Sequence, residues 1–171
     1  MVHDGSCFLA SFGDRRRGVF MAIIIGIDPG LSGGVAVFDG EKSCAFPFST
    51  MSETKEFLVD LVKGESSSLL KAFVEEPPVF FQGVGGGLAS QAKLHRNLGQ
   101  YEGLLMGLGI PFETISPKKW QKGLPGLAKL KGVERKRALK NLAVQRYPQL
   151  KPTLKTCDAI LIAEYGLKIS K

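Results

Sequence analysis

Cysteine is scarce in this 171-residue chain, and what there is forms no pattern. Cys7, Cys44 and Cys157 are odd in number and share no metal-ligand spacing. That excludes a zinc ribbon or a disulfide framework and points to a reducing compartment. Long apolar runs are missing too, so neither a membrane span nor a membrane partner is expected. The first twenty residues, MVHDGSCFLASFGDRRRGVF, lack the apolar core of a secretory signal. Asp4 and Asp14 speak against a targeting peptide despite Arg15, Arg16 and Arg17. Residues 1–20 therefore read as a poorly ordered extension ahead of one domain over 21–171. The glycine-rich stretch FQGVGGGLAS lacks the Lys-Ser/Thr ending of a phosphate loop, so no nucleotide cofactor is expected.

Acids are scarce in one part of the chain only. Residues 114–171 carry 14 Lys and Arg against Glu134, Asp158 and Glu164, whereas residues 1–113 carry 9 against 13 acids. A basic segment can be a solvated face. Its concentration in one third of the chain favours a polyanionic partner such as nucleic acid.

What is present begins with Ile23–Asp28, a β-branched run suited to a strand buried on both faces. PGLSGG makes a turn, and Val35–Asp39 and Ser43–Phe48 follow as two more antiparallel strands. Thr50 and Glu53 have capping-box spacing ahead of a helix that presents Phe57, Leu58, Leu61 and Val62. Ala72–Glu75 reads as a fourth strand, Gln91–Leu108 as a helix with Leu94, Leu98, Tyr101, Leu105 and Leu108 on one side, and Pro111–Ile115 as a fifth strand. A short helix around Trp120, an amphipathic helix over Glu134–Arg146 and a last helix from the N-cap Thr156 through Gly166 complete the chain. This order predicts an α/β fold with a mixed five-stranded sheet, three antiparallel strands and then parallel ones, flanked by helices.

Three acids stand at ends of these elements: Asp28 closing the first strand, Glu75 closing the fourth, and Asp158 in the first turn of the last helix. Singly, each reads as a turn residue, a strand-edge charge or a helix-dipole partner. Together they suit a site where the first and fourth strands lie side by side and the last helix crosses their ends. Three hard carboxylates fit Mg²⁺, with Mn²⁺ as substitute, and two such ions could serve an in-line phosphodiester hydrolysis.

IIIGIDPGLSGGVAVFD, VEE at 74–76, LGQYEG at 98–103, ISPKKWQK at 115–122 and CDAILIAEYG at 157–166 resemble, in that order, the RuvC family of Holliday junction resolvases, in its phage-like branch. The resemblance covers about residues 22–168. It implies an RNase H-like fold, a homodimer, and branched DNA, a four-way junction, as substrate. It also implies that Asp28, Glu75 and Asp158 are metal-binding catalytic carboxylates, with Glu75 rather than Glu76 as the family acid. The family commonly has a fourth Asp or His ligand where this chain has Lys155; three residues before Asp158, one helical turn away and facing the same way, Lys155 is a candidate catalytic residue that touches the scissile phosphate directly.

Lys118, Lys119, Lys122, Arg135, Lys136, Arg137 and Lys140 are candidate DNA contacts in the basic third. Phe80 and Phe81 either wedge into an opened junction or cover the core. Trp120 either stacks on DNA or anchors packing. His95 has no ligand-spaced partner and reads as a structural or surface residue. The setting expected is the cytoplasm of a bacterium or phage-infected cell, with an organelle also open. Two other functions stay open: a catalytically silent module that binds branched DNA, and an actin-like ATPase or sugar kinase. The second would require two such domains and a second phosphate loop, neither of which the sequence contains.

Overall fold

The computed structural model describes residues 22–39, 42–65, 69–77 and 88–170. Phe80, Phe81 and the extension over residues 1–20 lie outside them. Five strands, β1 (Ile23–Asp28), β2 (Gly34–Phe38), β3 (Ser43–Pro47), β4 (Leu70–Glu75) and β5 (Phe112–Ile115), form one sheet in the order β3-β2-β1-β4-β5. β1–β2 and β2–β3 pair antiparallel, and β1–β4 and β4–β5 pair parallel, as the sequence predicts. The helices are α1 (Met51–Gly64), α2 (Leu88–Gly107), α3 (Pro117–Gln121), α4 (Gly132–Arg146) and α5 (Cys157–Ile169), with a 3₁₀ turn at Pro148–Leu150.

Alternation along the strands divides the core in two. Ile23, Ile25 and Ile27 of β1 and Ala72 and Val74 of β4 pack with Leu58 and Leu61 of α1 and Leu98, Tyr101 and Leu105 of α2. Ile24 and Phe73 face the other way, into a core with Trp120, Leu139, Leu142, Ala143 and the apolar residues of α5. Trp120 is therefore a packing residue, buried to 2% exposure. α1 begins as its capping pattern requires, with Thr50 Oγ1 accepting from Glu53 N at 3.1 Å. Thr156 occupies the N-cap position of α5 but makes no side-chain cap. Its hydroxyl accepts from Thr153 N at 2.9 Å, tightening the turn before the helix.

α5 lies directly on β1 because Gly26 has no side chain. A Cβ at Gly26 would overlap the Ala159 carbonyl oxygen and lie 2.5 Å from Ala163 N. These are backbone atoms of α5 and cannot swing aside. Gly26→Ala is accordingly expected to destabilise the protein by about 3 kcal/mol, the upper part of the overpacking range. Urea denaturation measures this as a lowered midpoint, and an unchanged midpoint would contradict the close helix–strand approach.

Candidate metal and nucleic-acid site

The last parallel pair of β1 and β4 is Ile27↔Val74, so the next residues, Asp28 and Glu75, leave the sheet side by side. Parity aims both at the α5 face, because Ile24, Gly26 and Asp28 share one side of β1, and Phe73 and Glu75 the matching side of β4. α5 crosses at Gly26 through Ala159, which brings the preceding residue, Asp158, over the same strand ends. One carboxylate oxygen from each of Asp28, Glu75 and Asp158 lies within 4.8 Å of the others. Glu76 is exposed and takes no part in this cluster.

The turn after Asp28 holds that carboxylate over the site. Gly33 N donates to Gly30 O at 3.0 Å, and a Cβ at Gly33 would overlap the Asp28 carbonyl. Cys157 Sγ donates to Asp158 Oδ1 at 3.2 Å from the other side. The thiol is fully buried, and burial and the neighbouring Asp158 hold it protonated, with its pKa pushed up to about 12.

Crowding three acids away from water disfavours their charge. Burial, reinforced by Asp158, raises Asp28 to about 7. Burial, reinforced by Asp28 and Asp158, raises Glu75 to about 9. The Trp120 indole opposes that rise only weakly, since no hydrogen bond of proper geometry reaches either Glu75 Oε2 or Trp120 Nε1, and both atoms are buried. Among the described residues one cation pairs with the cluster: Lys136 Nζ on α4 lies 2.5 Å from Asp158 Oδ2 and 3.5 Å from Asp28 Oδ2. Burial opposes its charge, but the two carboxylates outweigh that and raise its pKa. An orphaned, buried carboxylate oxygen and two acids with raised pKa values fit a divalent cation in this cluster.

The sequence-predicted residues separate in space. Lys136 points into the cluster, whereas Arg137 is exposed on α4. Arg135 is half-buried, and its guanidinium donates to Gln121 Oε1. Lys140 is half-buried on the same helix. Lys118, Lys119 and Lys122 are exposed around α3, with Lys119 Nζ 2.6 Å from Glu113 Oε1. Lys155 is exposed in the turn before α5, is not part of that helix, and does not line the cavity over the acids. Lys136, from a different helix, supplies the ammonium beside Asp158. The exposed His95 is also absent from the cavity wall.

That cavity, about 840 Å³, runs from Asp28, Glu75, Asp158 and Lys136 across the Gly30 turn to α2. Its far wall contains Lys93, Arg96, Asn97 and Gln100, residues the sequence pattern does not single out. The signal available for them is helical spacing: Ser90, Lys93, Leu94, Asn97 and Gln100 recur every three or four residues.

The fold as a whole matches solved structures. A Thermus thermophilus RuvC in complex with Holliday junction substrate matches with a TM-score of 0.54 and 16% identity, covering 87% of this chain and 95% of that one. A second Thermus thermophilus RuvC structure matches with a TM-score of 0.51 and 17% identity, covering 86% and 96%. The chain has a RuvC-type, RNase H-like fold. A yeast mitochondrial Holliday junction resolvase aligns at a TM-score of 0.44 and 13% identity, covering 95% and 84%, and adds no weight. No protein-family model matches the chain, and no curated protein sequence matches it. Among the described residues, no helix of this RuvC-like fold is long and apolar enough to cross a membrane.

The raised carboxylates set a pH dependence. Asp28 and Glu75 have folded-state pKa values above their unfolded ones, so their contribution to metal-free stability is full below about pH 4. It is lost as pH rises through about 7 and then about 9. A divalent ion binds the ionised acids, so its stabilising effect grows over the same window. Thermal melts with and without Mg²⁺ or Mn²⁺ are expected to show a larger metal-induced rise at roughly pH 8.5 than at pH 6. Equal rises at both would contradict this electrostatic picture.

Proposed function

We propose that the protein is a metal-dependent endonuclease that resolves four-way DNA junctions by paired phosphodiester hydrolysis, acting as a homodimer in the cytoplasm. The observation that carries the reading is the convergence of Asp28, Glu75 and Asp158 at one end of a RuvC-type sheet. One structural neighbour was solved in complex with Holliday junction substrate, which supports the choice of DNA.

Asp28, Glu75 and Asp158 would hold Mg²⁺ or Mn²⁺, two ions per site. Bound there, such ions supply Lewis-acid polarisation of a phosphate oxygen and a water of lowered pKa. Lys136 places positive charge beside Asp28 and Asp158, where an incoming phosphate would otherwise meet only carboxylates. Lys118, Lys119, Lys122, Arg135, Arg137 and Lys140 extend that charge along α3 and α4 for the flanking backbone. Lys155, outside the cavity, would meet DNA further from the cleaved bond. Two symmetric nicks on a four-way junction call for two sites related by a two-fold axis, which a homodimer supplies.

One observation favours a second reading, a silent module that binds branched DNA. The Lys136 ammonium, 2.5 Å from Asp158, could neutralise the cluster in place of a metal. The two readings differ in whether the wild-type protein nicks a four-way junction in Mg²⁺, which a silent module does not. In the nuclease reading, Asp28→Asn lowers Mg²⁺-dependent nicking of a four-way junction by about a thousandfold, the scale of several kcal/mol of lost transition-state stabilisation. Junction binding by gel shift remains. Undiminished cleavage by Asp28→Asn would overturn the assignment.

A further inference from the structure

The acids occupy only one side of the cavity. Its other wall is the α2 face that carries Lys93, Leu94, Arg96 and Asn97, joined to the acids by the turn after Asp28. Asn97 Oδ1 accepts from Gly30 N at 2.6 Å, mounting the turn on α2. Gly30 has φ +121°, and a Cβ there would lie 3.0 Å from Leu94 Cδ2, so the turn also rests on the Leu94 side chain. At its tip Leu31 is 74% exposed, and Leu94 beneath is 37% exposed. Isolated exposed leucines are ordinary. These two form an apolar step inside a cavity that Lys93 and Arg96 also line. Both cations are exposed, and neither has an ion pair among the described residues.

An apolar step beside free cations suits a nucleotide, with a phosphate for the cations and a base face for the leucines. Leucine is among the side chains that wedge against base steps in DNA complexes. The volume, about 840 Å³, is in the range of sites that take a whole small ligand. We propose that this α2 wall is a subsite for the nucleotide adjoining the cleaved one. Lys93 and Arg96 hold its phosphate, and Leu31, supported by Leu94, contacts its base and biases which sequence is cut. The proposal rests on the nuclease reading above.

The test uses the full chain and synthetic four-way junctions. Binding is measured by fluorescence anisotropy against salt on the Asp28→Asn background. Adding Lys93→Gln and Arg96→Gln is expected to flatten the log–log salt slope by about 0.9, the value for the one phosphate charge no longer neutralised. Lys55→Gln with Lys63→Gln removes the same charge from exposed positions on α1 outside the cavity and serves as the control. On an otherwise wild-type chain, Leu31→Ser is expected to change the distribution of cuts across junctions of varied crossover sequence, by at least threefold between sites. Leu31→Met is expected to restore the wild-type distribution. Melting temperatures equal to wild type confirm that the variants fold. A salt slope equal to the control's, or a cleavage map for Leu31→Ser superimposable on the wild type's, overturns the subsite. Wild-type protein that nicks no branched DNA would instead defeat the nuclease reading, so the two failures are distinct.

Discussion

The parallel pairing of β1 with β4 is the constraint on which the rest depends. Its final pair, Ile27↔Val74, delivers Asp28 and Glu75 to the same edge at the same height. Shifting the register by one residue would turn Glu75 to the opposite face and place Glu76 on the α5 side. Gly26 then lets α5 settle against β1, which sets Asp158 above both. Each feature is a packing decision made in the core, and the acids follow from it. Burying apolar side chains on both faces of the sheet provides the free energy against which the crowded carboxylates are held.

That crowding is the chemical content of the site. Asp28 and Glu75 cannot both be ionised in a buried cluster with Asp158 without strong positive compensation, and their raised pKa values express the deficit. Lys136 supplies one charge and forms ion pairs with Asp158 and Asp28, while Glu75 feels it only at a distance and keeps Oε2 without a hydrogen bond. A cluster left with one orphaned carboxylate is costly as scaffold and serviceable as a hard-cation site. The charge asymmetry of the chain continues the pattern at longer range, with acids at the strand ends and cations on α3 and α4 outside them.

Much of this is legible in residue patterns. The continuous apolar run of β1, the capping box at Thr50 and the turn after Asp28 are local features, and the observed strands and helices begin within a few residues of where they point. Asp28, Glu75 and Asp158 are visible because each sits at the end of an element, where topology has few places to put it. Lys136 looks in sequence like one of several outward cations on α4, because helical spacing says which side of a helix is apolar but not what its flank meets. Lys155 sits by analogy of position one turn ahead of Asp158, yet the last helix starts two residues later, so the lysine turns to solvent. Leu94 shares the spacing of the core side of α2, and its partial exposure reflects the cavity at that end of the helix, which only the assembled fold creates. The α2 cations escape a sequence reading for the same reason.

The cleft thus has an acidic floor with Lys136 of α4 beside it, and a mixed wall on α2. Those parts describe a metal nuclease only if branched DNA is cut there. The most direct measurement incubates end-labelled four-way, three-way and duplex DNA with the protein, with and without Mg²⁺ or Mn²⁺, and maps the products strand by strand. The nuclease reading predicts metal-dependent nicks paired symmetrically across the four-way junction and absent from the duplex. Junction binding without a metal-dependent product, or equal cutting of duplex, would contradict it.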